Sequence, residues 1–500
     1  MERAMQRRQM MRWGAALALA PWWLRPAAAE SAHAGHGAMA MGEGMREAMP
    51  DAAALGLARG LPLPELKRLP LERKDGALQG CLTAAAVSLP LLPGKPATAF
   101  WAYNDSVPGP AIELSEGETL ALRFDNRLPQ PTTVHWHGLP IPADQDGNPH
   151  DPVLPGQGRD YRFSLPAGSA GSYWYHPHPH GHTAEQVYRG LAGVFVVRSG
   201  DDPLAHLPER WLVLSDLKLD EDGKIAANSD ADKMDGREGQ FVLVNGAWHP
   251  RLELGRGERQ RWRIWNATSA RVLKLALPAH EVWLVGTDGG LIEKPRRVES
   301  LVLPPGARAE LAVTGRFAAG KPAGLVALPY ARGKMMGPEQ DKALPLLDIE
   351  AGSAAVTASL PASLRRIVPL PKPSVTRRVV FSEDMANPAA MFLINGKTFD
   401  MDRMDFTGKV GAVEEWEIDN RADMDHPFHL HGTQFQVTER HDGKGWRREP
   451  YLAWRDVVNV PPAQKVRLRF RQDMPGPRMF HCHILEHEDA GMMGTLDVRA

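Results

Sequence analysis

His481-Cys482-His483-Ile484-Leu485-Glu486-His487-Glu488-Asp489-Ala490-Gly491-Met492 stands close to the end of a 500-residue chain, and its reading decides the rest. The stretch offers one soft thiolate, three imidazoles and a thioether, the donor set of a copper site with a His2Cys plane and a long axial Met. Cys482, His487 and Met492 supply three of those ligands; another His must come from elsewhere in the chain. If residues 480–483 run as a strand, Cys482 faces one side while His481 and His483 face the other. One short backbone path then joins two metal sites. Zinc accepts Cys and His at similar spacings and is the better reading of an isolated His-Cys-His. The His pairs found elsewhere in the chain turn the balance to copper.

Those pairs follow from an internal repeat. Pro110-Ala111-Ile112-Glu113-Leu114 leads to Arg123-Phe124-Asp125-Asn126, Asn245-Gly246 to Arg263-Ile264-Trp265-Asn266, and Asn395-Gly396 to Glu417-Ile418-Asp419-Asn420. Each reads as a strand, a turn and a second strand ending in Asn, so three similar domains are expected. Nine and eleven residues beyond Asn126 stand His135 and His137, and the same offsets from Asn420 reach His429 and His431. From Asn266 they reach Leu275 and Leu277, which leaves the middle domain without these ligands. Farther on, Tyr175-His176-Pro177-His178 matches Phe480-His481-Cys482-His483, with proline where the cysteine stands. A single His-x-His is an ordinary feature of a strand. Four at equivalent positions supply eight imidazoles, enough to hold a three-metal cluster between the first and third domains. His426, in Asp425-His426-Pro427-Phe428-His429, completes the thiolate site.

The chain begins like an exported protein. Arg7-Arg8, an apolar run from Trp13 to Leu24 and the small residues Ala27-Ala28-Ala29 predict an export signal over 1–29, and the paired arginines favour the twin-arginine route. The apolar run is too short to span a bilayer, so the expectation is a soluble periplasmic protein. With 59 basic against 60 acidic side chains, and five basic but only one acidic residue in 1–29, the mature chain is mildly acidic, which argues against a nucleic-acid partner. Residues 30–75, with His33, His36, Met39, Met41, Met45 and Met49, read as a flexible arm that either collects soft copper or is a solvated spacer. From Ala97 onward, short β-rich runs alternate with Gly, Pro, Asn and Asp, the texture of β-sandwich domains. The expected organisation is a first domain over 76–200, a second over 201–352, a linker over 353–371 and a third over 372–500. Cys81 is expected to be a buried small apolar residue.

His135-Trp136-His137-Gly138, Trp174-Tyr175-His176-Pro177-His178, His426-Pro427-Phe428-His429-Leu430-His431-Gly432 and the 481–492 stretch together resemble the bacterial three-domain multicopper oxidases, closest in layout to copper-efflux oxidases and bacterial laccases. The resemblance covers nearly all of 76–500. It implies an all-β fold of three consecutive cupredoxin-like Greek-key sandwiches, a monomer, and four copper ions. By that resemblance His426, Cys482, His487 and Met492 hold a type 1 copper that takes single electrons from a substrate. His135 and His429 hold the type 2 copper; His137, His176, His178, His431, His481 and His483 hold the type 3 pair, where dioxygen is reduced to water. Asp146 and Glu488 sit where the resemblance places proton relays.

The substrate is less sharply drawn. Asp423-Met424-Asp425, immediately before His426, is the candidate substrate site; Met424 matches a family substrate position, but the family's upstream Asp is Ala422 here. Met335-Met336 is short for a Met-rich insertion, and Met385, Met391, Met401 and Met404 open the third domain. A cuprous oxidase of copper tolerance is the leading expectation. A laccase acting on phenols or aromatic amines comes next, and a copper-sequestering protein on the same fold is the non-catalytic alternative. Iron(II) stays open as a donor as well.

Overall fold

The computed structural model describes residues 51–500, so the expected export signal and the His and Met residues at 33–49 lie outside the described residues. The described chain forms three two-sheet β-sandwiches. In the first, strands Ala77–Leu89, Thr119–Arg127 and Gly158–Ser164 face a sheet ordered Gly109–Ser115, Gly193–Arg198, Gly171–His176, His135–His137. In the third, a sheet centred on Val375–Glu383, Val413–Asn420 and Lys465–Arg471 faces one ordered Phe406–Lys409, Met493–Arg499, Gly476–Cys482, His426–Leu430, Val457–Val460. The middle sandwich repeats the plan, with Leu325–Leu328 and Leu273–Ala276 in the places of Gly476–Cys482 and His426–Leu430. No helix among the described residues is long and apolar enough to cross a membrane.

The asparagine that ends the repeat does the same work three times. Asn126, Asn266 and Asn420 are buried at the end of a strand that runs parallel to the first long strand of its domain. The Asn420 amide donates to the carbonyls of Met424 (2.8 Å) and Val460 (2.7 Å), and its oxygen accepts the Ala422 N–H (3.0 Å). Asn126 holds Gln130, Val153 and Leu128 in the same way, and Asn266 holds Arg271, Leu303 and Thr268. Each side chain therefore closes an Asx-type turn and ties the next loop to the opposite sheet. This fixes the path into the ligand-bearing strand, which is why the histidines recur at constant offsets.

A second repeated Asn corrects the sequence alignment of the first domain. Asn245 and Asn395 sit at positive φ in tight turns and accept the N–H of Val213 and Val380; Asn104, not the Pro110 segment, does the equivalent for Thr83. Its follower is Asp105 at φ 55°, so the Asn-Gly signature was missing. The arm also ends earlier than its composition suggests. Ala52, Leu55 and Leu57 are buried with Leu92, Phe100, Leu217 and Leu243, and strand Glu72–Lys74 pairs with Ala77–Leu89. Their apolar partners are remote in sequence, which leaves no local periodicity to read. Cys81 is exposed rather than buried, because strand alternation turns Leu82 inward instead.

Asn266→Ala and Asn420→Ala each strand two buried carbonyls, and the expected loss is about 3 kcal/mol. Urea unfolding of the metal-free protein measures it. A loss below about 0.5 kcal/mol in both variants would show that these turns form without the side chain.

Candidate metal centres

Two buried clusters of metal-binding side chains lie on the third sandwich and where it meets the first. The first cluster joins His426 from strand His426–Leu430, Cys482 from the end of Gly476–Cys482 and His487 from the short helix Leu485–Asp489. His426 Nδ1 lies 3.2 Å from Cys482 Sγ and 3.4 Å from His487 Nδ1. Both outer nitrogens are engaged: His426 Nε2 with Glu383 Oε1 at 3.3 Å and His487 Nε2 with the Met234 carbonyl at 2.9 Å. Protons therefore belong on Nε2, and the Nδ1 lone pairs face the sulfur. Met492 is buried in the same apolar cluster as Cys482, and its carbonyl accepts the Cys482 N–H at 3.0 Å. Burial pushes the Cys482 thiol far above its ordinary range and both imidazoles below theirs. The pocket holds neutral nitrogen and sulfur donors in apolar surroundings, the chemistry of a soft cation that displaces the thiol proton on binding.

The second cluster gathers all eight histidines of the four His-x-His pairs, each with no exposed surface. His135 pairs in register with His176 across the first domain's sheet, and His429 with His481 across the third's. The intervening Trp136 and Leu430 fill the cores of their own domains, so alternation sends the imidazoles to the boundary between them. His178 Nε2 and His431 Nε2 each lie 3.2 Å from His481 Nε2, and His137 Nδ1 lies 3.4 Å from His176 Nε2. Several rings have one nitrogen fixed by donating outward: His135 Nδ1 to the Asp146 carbonyl, His176 Nδ1 to Pro177, His429 Nδ1 to Asp456 and His481 Nδ1 to Cys482. The opposite nitrogens of His135 and His429, and both nitrogens of His483, are buried without a hydrogen-bond partner among the described residues. Burial lowers the pKa of His481 to about 3, and burial with mutual repulsion holds His137, His176, His178, His429, His431 and His483 well below normal. Neutral imidazoles with inward lone pairs and no protein donor to satisfy them fit metal ions.

The two expected relay carboxylates touch different parts of this cluster. Asp146 is fully buried, with Oδ1 3.2 Å from His135 Nδ1 and Oδ2 3.3 Å from His431 Nδ1. Glu488 has Oε1 3.4 Å from His178 Nε2 and Oε2 3.1 Å from His481 Nδ1. Burial raises the Glu488 carboxyl far above the usual range, raises Glu486 to about 8, and raises Asp489 to about 7. Asp489 also accepts the Thr183 and Ala184 N–H groups of the first domain at 3.0 and 2.9 Å, which fastens the short helix across the boundary.

The expected substrate residues are placed differently. Asp423 is exposed. Met424 is fully buried in the third domain's core, and Asp425 is buried accepting from Tyr330 Oη and Asn459 Nδ2, each at 2.6 Å. Met424 thus packs in the core, and Asp425 is anchored through Oδ2. Sequence reasoning missed Glu383 on His426 and Asp456 on His429. Glu383 lies at the end of strand Val375–Glu383, remote from every motif, and Asp456 follows Trp454-Arg455 with no recognisable signal. Partly buried Met234, Met335 and Met391 pack against the cluster that holds Cys482 and Met492. Met335 is held in place because Asp235 accepts the N–H groups of Met335, Met336 and Gly337, while Glu339 accepts those of Arg332, Gly333 and Lys334.

Comparison with known proteins matches each sandwich separately. Multicopper oxidase family models match residues 88–202, 210–320 and 370–500. The multicopper oxidase Mco of Staphylococcus aureus is 33% identical over 407 residues, 79% of this chain and 83% of its own length. The cell division protein FtsP of Photorhabdus laumondii is 30% identical over 81% of this chain and 86% of its own. Among solved structures, a Campylobacter jejuni multicopper oxidase described as a metallo-oxidase has a TM-score of 0.85 at 41% identity, covering 90% of this chain and 98% of its own. With all three domains matched and long alignments running through them, the chain belongs to the multicopper oxidases, copper-dependent oxidoreductases that use a reductant and dioxygen.

Proposed function

We propose that this oxidase binds four coppers and takes its electrons from a metal ion, with Cu(I) the leading donor. In this reading His426, Cys482, His487 and Met492 hold the type 1 copper, His135 and His429 the type 2 copper, and the other six clustered histidines the type 3 pair. When bound, the coppers supply one-electron acceptance at the thiolate site and four-electron reduction of dioxygen to water at the eight-histidine site. Cys482 shares its backbone with His481 and His483, so the route between the sites is covalent.

The observation that carries the metal-ion reading is Glu383. Its side chain, only 5% exposed, meets the outer nitrogen of His426 at 3.3 Å, so a cation held by this carboxylate is one imidazole away from the type 1 position. Met234, Met335 and Met391 add thioethers around the same cluster, and thioethers select Cu(I). The description of the similar Campylobacter jejuni protein as a metallo-oxidase supports the reading. Glu383→Gln is expected to lower kcat/KM for Cu(I) by at least about tenfold, while a phenol changes by less than about twofold. Oxygen uptake with Cu(I), Fe(II) and a phenol as separate donors measures this. A phenol as the fastest donor, with rank order unmoved by Glu383→Gln or Met335→Leu, would make the protein a laccase instead.

Glu488 and Asp146 are proposed to deliver the protons that oxygen reduction needs. The Glu488 carboxyl, raised by burial, remains protonated near neutrality and can donate; as pH rises through about 7 the neighbouring Asp489 ionises and the supply to Glu488 weakens. Reoxidation of the reduced enzyme should therefore slow as pH rises through about 7. Asp146→Asn and Glu488→Gln should each slow it about 100-fold while the blue copper is still reduced at the normal rate. Stopped-flow traces showing normal reoxidation in both variants would remove these residues from the proton path.

Export by the twin-arginine route to the periplasm is likewise proposed, on Arg7-Arg8 and the apolar run behind them. Replacing both arginines by lysine should leave the protein in the cytoplasm; unchanged periplasmic enzyme would point to an ordinary secretory signal.

A further inference from the structure

The middle domain carries none of the clustered histidines, yet its Arg308 stands where all three sandwiches meet. Arg308 opens strand Arg308–Thr314 and is fully buried. Its Nε donates at 2.7 Å to the carbonyl of Ser172, on the first-domain strand that ends at His176. Its Nη1 and Nη2 grip both carboxylate oxygens of Asp456 in the third domain, Nη2 to Oδ2 at 2.6 Å. This is the bidentate fork that a planar guanidinium makes and an ammonium does not.

The segment carrying Asp456 is held from a second side. Asp288, in the turn after strand Glu281–Thr287, accepts the N–H groups of Arg308 (2.7 Å), Asp456 (3.1 Å) and Val457 (3.3 Å). Thr287 Oγ1 and Gly289 N both donate to the Trp454 carbonyl at 2.9 Å. The middle domain therefore fixes both the backbone and the side chain of Asp456.

Two clustered histidines depend on that one residue. His137 Nε2 donates to Asp456 Oδ1 at 3.0 Å, and His429 Nδ1 donates to the Asp456 carbonyl at 2.7 Å. Those bonds put the proton of His137 on Nε2 and that of His429 on Nδ1, which leaves His137 Nδ1 and His429 Nε2 as the lone pairs for metal. The packing leaves no slack: a Cβ on Gly138 would come within 2.2 Å of Asp456 Oδ2 and 2.7 Å of Arg308 Nη2.

We infer that Arg308 is a positioning residue for the trinuclear centre: by gripping Asp456 it sets the orientation and tautomer of His137 and His429, so the ligand-free domain shapes the metal site. The inference rests on the copper assignment proposed above. It predicts a local defect at the type 2 and type 3 coppers with the type 1 copper intact, whereas an arginine that merely fastens domains together would change stability alone.

The experiment compares copper-loaded wild type, Arg308→Lys and Arg308→Gln. Arg308→Lys keeps the buried charge beside Asp456 and loses the fork, so it carries the test if Arg308→Gln does not accumulate as folded protein. Both variants should keep the blue type 1 band and its reduction by substrate. Their type 2 electron paramagnetic resonance signal should be altered or lost, and chelator competition should show about 10- to 100-fold weaker retention of that copper. Full copper retention with an unchanged type 2 signal, accompanied only by a lower melting temperature, overturns the inference. A wild-type enzyme with no type 2 signal overturns the copper assignment beneath it, an outcome separable from any effect of the variants.

Discussion

Strand alternation at residues 481–483 is the constraint on which the rest of this molecule depends. A pleated strand must send neighbours to opposite faces, so Cys482 enters the apolar core of its own sandwich while His481 and His483 turn toward the first. That single fact places one cluster inside a domain and the other between domains, one residue apart along the backbone. It also requires the first sandwich to offer a matching edge, which His135–His137 and Gly171–His176 do in the same register that His426–Leu430 and Gly476–Cys482 use.

Burying so many imidazoles is unfavourable unless each is held neutral and in one tautomer. The molecule does this largely with backbone carbonyls, at Asp146, Pro177, Asp456 and Cys482, which accept a proton without adding charge. Ionisable partners are fewer: Asp146 meets His135 and His431, Glu488 meets His178 and His481, and Asp456, gripped by Arg308, meets His137. Arg478 is the exception: its guanidinium is fully buried 3.7 Å from Asp146 Oδ2 and has no hydrogen-bond partner among the described residues. Burial works against the Arg478 charge, and the neighbouring Asp146 favours it.

Periodic features were legible and solitary ones were not. The offsets from Asn126 and Asn420 announced four of the eight histidines that the structure gathers, because the same buried amide fixes the same turn each time, and the match of Tyr175-His176-Pro177-His178 with Phe480-His481-Cys482-His483 announced the other four. Glu383 and Asp456 act through a partner far away in sequence, so no spacing betrays them. Met424, read from its position beside His426, lies in the bend before the His426–Leu430 strand and is buried in the core. Residues 51–75 look like an arm in sequence for a related reason, since Leu55 and Leu57 find their buried partners more than thirty residues away.

In the middle domain other residues stand where its neighbours carry ligands. Leu275 and Leu277 stand where the other domains have histidines and are simply buried apolar side chains. After strand Leu325–Leu328, where the third domain continues into His483 and His487, the middle domain continues into the segment carrying Tyr330, Arg332 and Met335, which reaches Asp425 and the core around Cys482. Its Met234 carbonyl orients His487, Gly306 lies so close to His483 that a Cβ there would be 2.7 Å from the ring, and Arg308 grips Asp456. The three copies share one fold, and the middle one, without the clustered histidines, holds residues of the other two that carry or orient them.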